Sequence, residues 1–95
     1  MDLDECRRKI DEIDGMLLKL LNQRARLSLE VATIKQGQGL PVHIPEREAA
    51  ILSRLQEMNA GPLSDRAVQR LFRRIIDESR RLQQKHQGVQ SPENG

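Results

Sequence analysis

Two positively charged residues interrupt the apolar pattern in the first half of the chain. Arg24 lies seven residues after Leu17 and seven before Val31, where a heptad repeat would place an apolar side chain. Lys35 follows eleven residues after Arg24, and eleven steps of about 100° return to within about 20° of the same helical face. The two cations would therefore project from one side of a helix, with their backbones about 16 Å apart. Their long side chains could converge on one anionic group.

Other polar residues occupy the inward rows of two later segments. Glu48 falls on the apolar row of a second predicted helix, with Arg47 beside it. Ser79 interrupts the apolar row of a third, and Gln83 follows one turn later on the same side. Burying uncompensated cations costs on the order of several kcal/mol each, and a negatively charged ligand would offset that cost. Two or three cations, one carboxylate and two neutral hydrogen-bonding groups suit a small dicarboxylate that bears a hydroxyl.

Each of these residues also has a purely structural interpretation. Taken alone, Arg24 is more typical of a residue that fixes helix register or extends to the rim of an interface. Ser79 could bond to the backbone of its own helix, and Glu48 could simply favour the positive end of its helix. Lys35 and Arg47 could be ordinary surface charges. It is the combination, rather than any one residue, that favours a ligand site.

Three predicted helices would position these residues. The first runs from about Leu3 to about Gln36, on an apolar 3-4 spacing that no proline interrupts. The second begins at Pro45, whose ring suits the first turn of a helix. The third follows Ser64, a residue type that commonly caps helix N-termini. The sequence therefore predicts an all-α fold with three helices per chain and a long first helix.

The length of the first helix predicts a dimer. At about 1.5 Å per residue it would be about 50 Å long, whereas a compact chain of this size is only about 30 Å across. A second subunit would cover the part of the apolar stripe that the chain itself cannot cover.

Arg7 lies about 25 Å along the helix from Arg24 and about 100° around it, so one chain cannot present both to one small molecule. In an antiparallel pair, the partner's Arg7 could reach the site, although a solvated first-turn charge is the alternative.

Composition excludes several classes of protein. Hydrophobic residues make up 37% of the chain and charged residues 32%, and Phe72 is the single aromatic residue, which disfavours a sheet sandwich or barrel. The formal net charge of +2 is too small to indicate binding to nucleic acid or to an anionic membrane. One cysteine, no signal-like N-terminus and no long apolar run predict a soluble cytoplasmic protein.

The residue inventory also limits the chemistry. The two histidines and the lone cysteine form no nucleophilic set and no metal-ligand spacing, and no phosphate-binding glycine motif is present. An enzyme built from these residues is therefore expected to use no metal and no cofactor. The segment 85–95 lacks periodicity, so we predict a domain over residues 1–84 followed by a flexible C-terminal tail.

In the types and spacing of these residues, the chain resembles the all-helical chorismate mutases, including the mutase domain of bifunctional chorismate mutase/prephenate dehydratase proteins. The similarity covers residues 3–84. Its motifs are Arg7-x-x-Ile10-Asp11-x-Ile13-Asp14, Leu20-Leu21-x-x-Arg24, Glu30-Val31-x-x-x-Lys35, Pro41-Val42, Arg47-Glu48, Leu71-Phe72-x-x-Ile75-Ile76 and Ser79-x-x-x-Gln83. One position departs from the pattern, since many relatives have Asp where this chain has Ile44.

The resemblance implies a function and a set of roles. It implies conversion of chorismate to prephenate, in phenylalanine and tyrosine biosynthesis, by an intertwined helical homodimer. Arg24 and the partner's Arg7 would hold the substrate carboxylates, with Ser79 assisting and Arg47 adding positive charge. Lys35 and Gln83 would donate hydrogen bonds to the ether oxygen, and Glu48 would accept one from the ring hydroxyl. Val31 and Ile44 would line the pocket, and the Ile44 departure is expected to tune affinity rather than abolish activity.

Two other functions stay open at this point. An isochorismate pyruvate lyase would share the fold and the cationic pocket. A helical dimer that binds nucleic acid or protein is suggested by the arginines of the third helix. However, acidic residues alternate with those arginines and no aromatic side chain is available to stack on bases, so we expect no nucleic-acid partner.

Overall fold

The fold consists of three α-helices, in a computed structural model that describes residues 1–89. They are α1 (Leu3–Gly37), α2 (Pro45–Met58) and α3 (Asp65–Val89). No strand occurs among these residues. The predicted all-α architecture with a long first helix is thus confirmed.

Local chemistry accounts for most of the helix ends. The Asp2 carboxylate accepts a hydrogen bond from the Glu5 backbone N–H at 2.8 Å and so caps α1. At the other end, Gly39 adopts a φ of +69°, which a glycine tolerates readily, and the Leu40 N–H then bonds to the Lys35 carbonyl at 2.8 Å. Ser64 caps α3, as predicted, because its hydroxyl accepts from the Ala67 N–H at 3.0 Å.

The third helix is longer than the sequence predicted. It continues beyond Gln84, the predicted domain boundary, to Val89. The added residues, Lys85 to Val89, include helix-compatible lysine and glutamine and only one glycine, so nothing in them stops the helix at Lys85. The rest of the predicted tail, residues 90–95, lies outside the described residues.

The interior of the single chain is small. Helix α3 packs against both α1 and α2, and of the described residues only Ala32, Val68 and Ile76 are buried apolar residues. The radius of gyration is 17.1 Å, compared with about 12 Å for a compact chain of this length. The molecule measures 58 × 29 × 16 Å along its principal axes. Such a shape leaves much of α1 uncovered.

The uncovered part of α1 is strongly apolar. Its exposed large hydrophobic residues are Leu3, Ile10, Ile13, Met16, Leu17, Leu18, Leu20, Leu21, Leu27, Val31 and Ile34. Leu17 and Leu20 retain 51% and 59% of their accessible surface. Monomeric soluble proteins rarely expose so continuous an apolar face.

Candidate active site

A cavity of about 260 Å³ lies where the three helices meet the loop before α2. It is lined by Arg24, Leu27, Ser28, Val31, Lys35, Val42, His43, Ile44, Arg47, Glu48, Ile51, Ile76, Ser79, Arg80 and Gln83. Every site residue named from the sequence is in this set except Arg7, which lies near the start of α1. The fold therefore brings together eight of the nine predicted residues within one chain.

Arg24 connects α1 to α3. Its Nη1 donates a hydrogen bond to the Ser79 hydroxyl oxygen at 2.9 Å, and both side chains are partly buried. Ser79 is thus engaged by a cation of another helix. This bond holds the Arg24 guanidinium at the cavity wall and leaves its other N–H groups for a ligand.

Gln83 makes the second link between α1 and α3. Its side-chain nitrogen donates to the Ser28 carbonyl at 2.8 Å. Because an amide nitrogen carries two hydrogens, one remains for a group inside the cavity. The two links, from Ser79 and Gln83, lie one turn apart on α3 and orient this face of the helix towards α1.

Three cations of the cavity lack an acidic partner. Among residues 1–89, no carboxylate lies within 4.0 Å of the charged nitrogens of Arg24, Lys35 or Arg47. Arg24 and Lys35 are partly buried, which weakens their hydration and makes an anionic ligand favourable. Together they give the cavity a net positive charge suited to a dianion.

Glu48 is the acidic residue of the cavity, and side chains from α3 and the preceding loop surround it. Arg80 Nη2 lies 2.6 Å from Oε1 and 2.8 Å from Oε2. Arg73 Nη1 lies 3.1 Å from Oε1, and His43 Nε2 lies 3.1 Å from Oε2. The Glu48 side chain is only 14% exposed.

The surroundings of Glu48 favour its charged form. Burial alone raises the pKa of this carboxyl, but hydrogen bonding and Coulombic attraction from Arg80 lower it, with help from Arg73 and His43. The attractive contacts outweigh the burial, so the pKa of Glu48 lies below its ordinary value. Glu48 therefore acts as a hydrogen-bond acceptor at neutral pH.

The arginine partners of Glu48 are not among the site residues predicted from the sequence. Arg73 and Arg80 were considered only with the other arginines of the third helix, yet both contact Glu48. A signal was available in their spacing. They lie seven residues apart, and Ile76 lies between them at three and four residues, so all three share one face. Since Ile76 is buried, that face points inwards.

The remaining basic charge of α3 is partly neutralised. Arg74 pairs with Glu78 at 2.7 Å, and Arg81 lies 3.9 Å from the same carboxylate. Arg66 and Arg70 are exposed. With Arg73 and Arg80 directed at Glu48, the helix offers less free positive charge than its sequence suggests, which weakens the case for a nucleic-acid surface.

Metal-ligand clusters and membrane-spanning helices are both absent from the part of the chain that the structure describes. Residues 1–89 contain no cluster of three or more His, Cys, Asp or Glu side chains that could hold a metal ion. None of the helices formed by these residues is long and apolar enough to cross a membrane.

Ile44, which lines the cavity, provides a test of how α2 begins. It occupies the N-cap position of α2, but its side chain makes no capping hydrogen bond. We expect Ile44→Asp to be more stable than Ile44→Ala by about 1 kcal/mol, because the carboxylate can accept from the first free N–H groups of the helix. Urea unfolding of both variants at one protein concentration and pH 7 measures the difference. The alanine variant controls for the loss of the isoleucine side chain, and equal stabilities would contradict the expectation.

Comparison with known proteins places these features in context. The family described as chorismate mutase type II matches residues 6–84. The chain is 47% identical over 72 residues to a bifunctional chorismate mutase/prephenate dehydratase of Neisseria gonorrhoeae, covering 76% of this chain and 19% of that relative. It is 36% identical over 85 residues to the chorismate mutase of Methanocaldococcus jannaschii, covering 88% of this chain and 86% of that relative.

A solved structure shows the same architecture. The chorismate mutase of Helicobacter pylori in complex with prephenate superposes with a TM-score of 0.79 at 31% identity, covering 87% of this chain and 90% of that one. The similarity extends over all three helices. By contrast, the chain spans about a fifth of the length of the bifunctional relative.

Proposed function

The chain belongs to the type II chorismate mutase family, and we propose that it converts chorismate to prephenate in the cavity between its three helices. Members of this family act in aromatic amino acid biosynthesis. One observation carries the proposal: three cations that have no acidic partner within residues 1–89, Arg24, Lys35 and Arg47, line a small cavity that also holds a charged Glu48. Chorismate has two carboxylates and a ring hydroxyl, which are the groups that such a cavity can bind.

The reaction requires little chemistry from the protein. In this Claisen rearrangement one C–O bond breaks while one C–C bond forms within a single molecule, so no nucleophile, proton transfer or electron transfer takes part. Catalysis then depends on holding the enolpyruvyl group folded over the ring. It also depends on hydrogen-bond donors aimed at the ether oxygen, where negative charge grows in the transition state.

We assign roles to the cavity residues on this basis. Lys35 and the free amide hydrogen of Gln83 donate to the ether oxygen, and Glu48 accepts from the ring hydroxyl. Arg24 holds one carboxylate with assistance from Ser79, and Arg47 adds positive charge near the ring. Val31 and Ile44 contribute apolar contacts to the wall. The bonds from Arg24 to Ser79 and from Gln83 to Ser28 support these assignments, since they fix donors before the ligand arrives.

We further propose that the active molecule is an intertwined homodimer in which the partner's Arg7 holds the second carboxylate. The exposed apolar face of α1 supports this proposal, because pairing with a second subunit would remove it from water. A groove of about 540 Å³ between α1 and α3, lined by the apolar side chains of Leu21, Ala25, Ile75 and Leu82, adds to the same surface. Within one chain Arg7 and Arg24 are about 25 Å apart along α1.

The proposed catalytic unit is residues 1–84, close to the family match at residues 6–84, and we propose that it works in the cytoplasm. Residues 85–95 would follow this unit, beginning with the last part of α3. No metal or other cofactor is needed for the proposed reaction.

A turnover assay tests the proposed function. Purified protein with a chelator present is expected to consume chorismate, measured as loss of its absorbance, and to yield prephenate, identified by mass spectrometry or acid conversion to phenylpyruvate. Sedimentation of the same sample is expected to give twice the chain mass. Release of pyruvate from isochorismate without prephenate formation would instead identify a lyase, and failure to act on either compound would overturn the proposal.

A further inference from the structure

Arg80 lines the cavity from α3, and its terminal nitrogen Nη2 donates to both oxygens of Glu48. We propose that Arg80 is a positioning residue, which acts through Glu48 by holding its carboxylate in the orientation that accepts a hydrogen bond from the substrate's ring hydroxyl. This inference rests on the proposed function. It adds a residue that the sequence motifs did not include, and it explains how a lone carboxylate is kept in a pocket built for a dianion.

The geometry of the contact supports a positioning role. A single nitrogen, Arg80 Nη2, bridges both oxygens of Glu48 at 2.6 and 2.8 Å. The terminal torsion of a glutamate is otherwise broad, and a donor shared by both oxygens limits it. Oε1 also accepts from Arg73, whereas the second neighbour of Oε2 is His43, a side chain that is 45% exposed on the loop before α2. In this proposal the substrate hydroxyl takes the place of the exposed His43 at Oε2.

The charge of Arg80 matters as much as its geometry. Two substrate carboxylates entering the same cavity would repel Glu48 and favour its protonation. A protonated Glu48 carries a donor where an acceptor is needed. The Arg80 contact opposes this change: burial raises the pKa of Glu48, but hydrogen bonding and Coulombic attraction from Arg80 lower it.

Arg80 is better placed for this role than the two other neighbours of Glu48. Its side chain is 32% exposed, compared with 44% for Arg73 and 45% for His43. Its Nε is fully buried, and the side chain lines both the main cavity and a smaller one of about 150 Å³. The contacts of Nη2 with both oxygens of Glu48 restrain the two side chains together.

A double-mutant cycle with Glu48 tests the proposal. Arg80→Gln is expected to lower kcat/KM by about 10- to 100-fold, the usual size for a residue that orients a ligand-binding group. Glu48→Gln lowers it as well, and the double variant is expected to lie within about twofold of Glu48→Gln, because residues that act as a unit are not additive. If the two losses multiplied instead, Arg80 would act on the substrate directly and the proposal would fail.

Two further variants keep the test decisive. Arg80→Lys, which preserves the charge and one donor, is expected to recover most of the activity lost in Arg80→Gln. Arg70→Gln is the matched control, because Arg70 is an exposed arginine of the same helix that lines none of the three cavities. It is expected to match the wild type. Circular dichroism of each variant reports whether it is folded. If Arg80→Gln does not fold, the activity and the pH profile of Arg80→Lys are measured in its place.

The pH profile separates positioning from general structural damage. The charged or titratable groups around Glu48 are His43 from the loop, Arg47 on α2, Arg24 and Lys35 on α1, and Arg73 and Arg80 on α3. Weakening the Arg80 contact raises the pKa of Glu48, so the loss of kcat/KM on acidification should begin at higher pH in Arg80→Gln. At each pH, the kcat/KM of Arg80→Gln is divided by that of the wild type, so the titration of groups that behave alike in both proteins cancels. A ratio that stays constant with pH would overturn the proposal, whereas an inactive wild type would overturn the proposed function instead.

Discussion

Lys35→Ala is expected to lower kcat by about 100- to 1,000-fold while changing KM much less. One preorganised donor at a developing oxyanion contributes about 3 kcal/mol to transition-state stabilisation. Lys35 lies in the last turn of α1, partly buried, and lines the cavity without an acidic partner among residues 1–89. The ether oxygen gains negative charge only as the C–O bond breaks, so the lysine binds the transition state better than the ground state. Steady-state kinetics with chorismate measure the split between kcat and KM.

The control for this variant is Lys19→Ala. Lys19 is an exposed lysine on the same helix and lines none of the cavities, so its removal tests the effect of one less positive charge on the molecule as a whole. It is expected to stay within about twofold of the wild type, as is usual for surface positions. Turnover of Lys35→Ala near the wild-type rate would contradict a role for Lys35 at the ether oxygen.

The helices were predictable because their signals are local. An uninterrupted 3-4 apolar spacing specifies α1, and its end is one residue from the predicted one. The serine cap of α3 was also predicted correctly, since a side-chain hydroxyl three residues before a free N–H is a short-range interaction. The C-terminal end of α3 was less predictable, because polar residues such as Lys85 and Gln87 extend a helix without an apolar pattern.

The site was only partly predictable, because some of its contacts join residues that are far apart in the sequence. Arg24 and Glu48 could be identified because they stand where their own helices call for apolar residues. The salt bridge between Glu48 and Arg80 joins residues 32 positions apart, and only the packing of α2 on α3 brings them together. Spacing places Arg80 on the same face as the apolar Ile76, but it does not show that this face meets Glu48 of α2, so the contact became visible only in three dimensions.

A second large effect concerns the sharing of a site between two subunits. Each of Arg7→Ala and Arg24→Ala is expected to lower kcat/KM by roughly 100-fold, since a charged hydrogen bond to a carboxylate contributes about 3 kcal/mol. If the proposed dimer is correct, Arg7 and Arg24 of one chain serve different sites. A heterodimer of the two variants would then contain one intact site, with both arginines, and one site that lacks both.

Mixing the two inactive variants is therefore expected to restore activity. Random exchange of equal amounts makes half of the dimers mixed, and half of the sites in those dimers are intact, so the mixture should reach about a quarter of the wild-type rate. The measurement is chorismate turnover after co-expression, or after dilution and reconcentration of the mixed proteins, with each variant alone as the control. Arg24→Ala also breaks the bond to Ser79, so its melting curve establishes that the variant is folded. If Arg7 acted within its own chain, every site in a mixed dimer would lack one arginine, and mixing folded variants that exchange subunits would restore nothing.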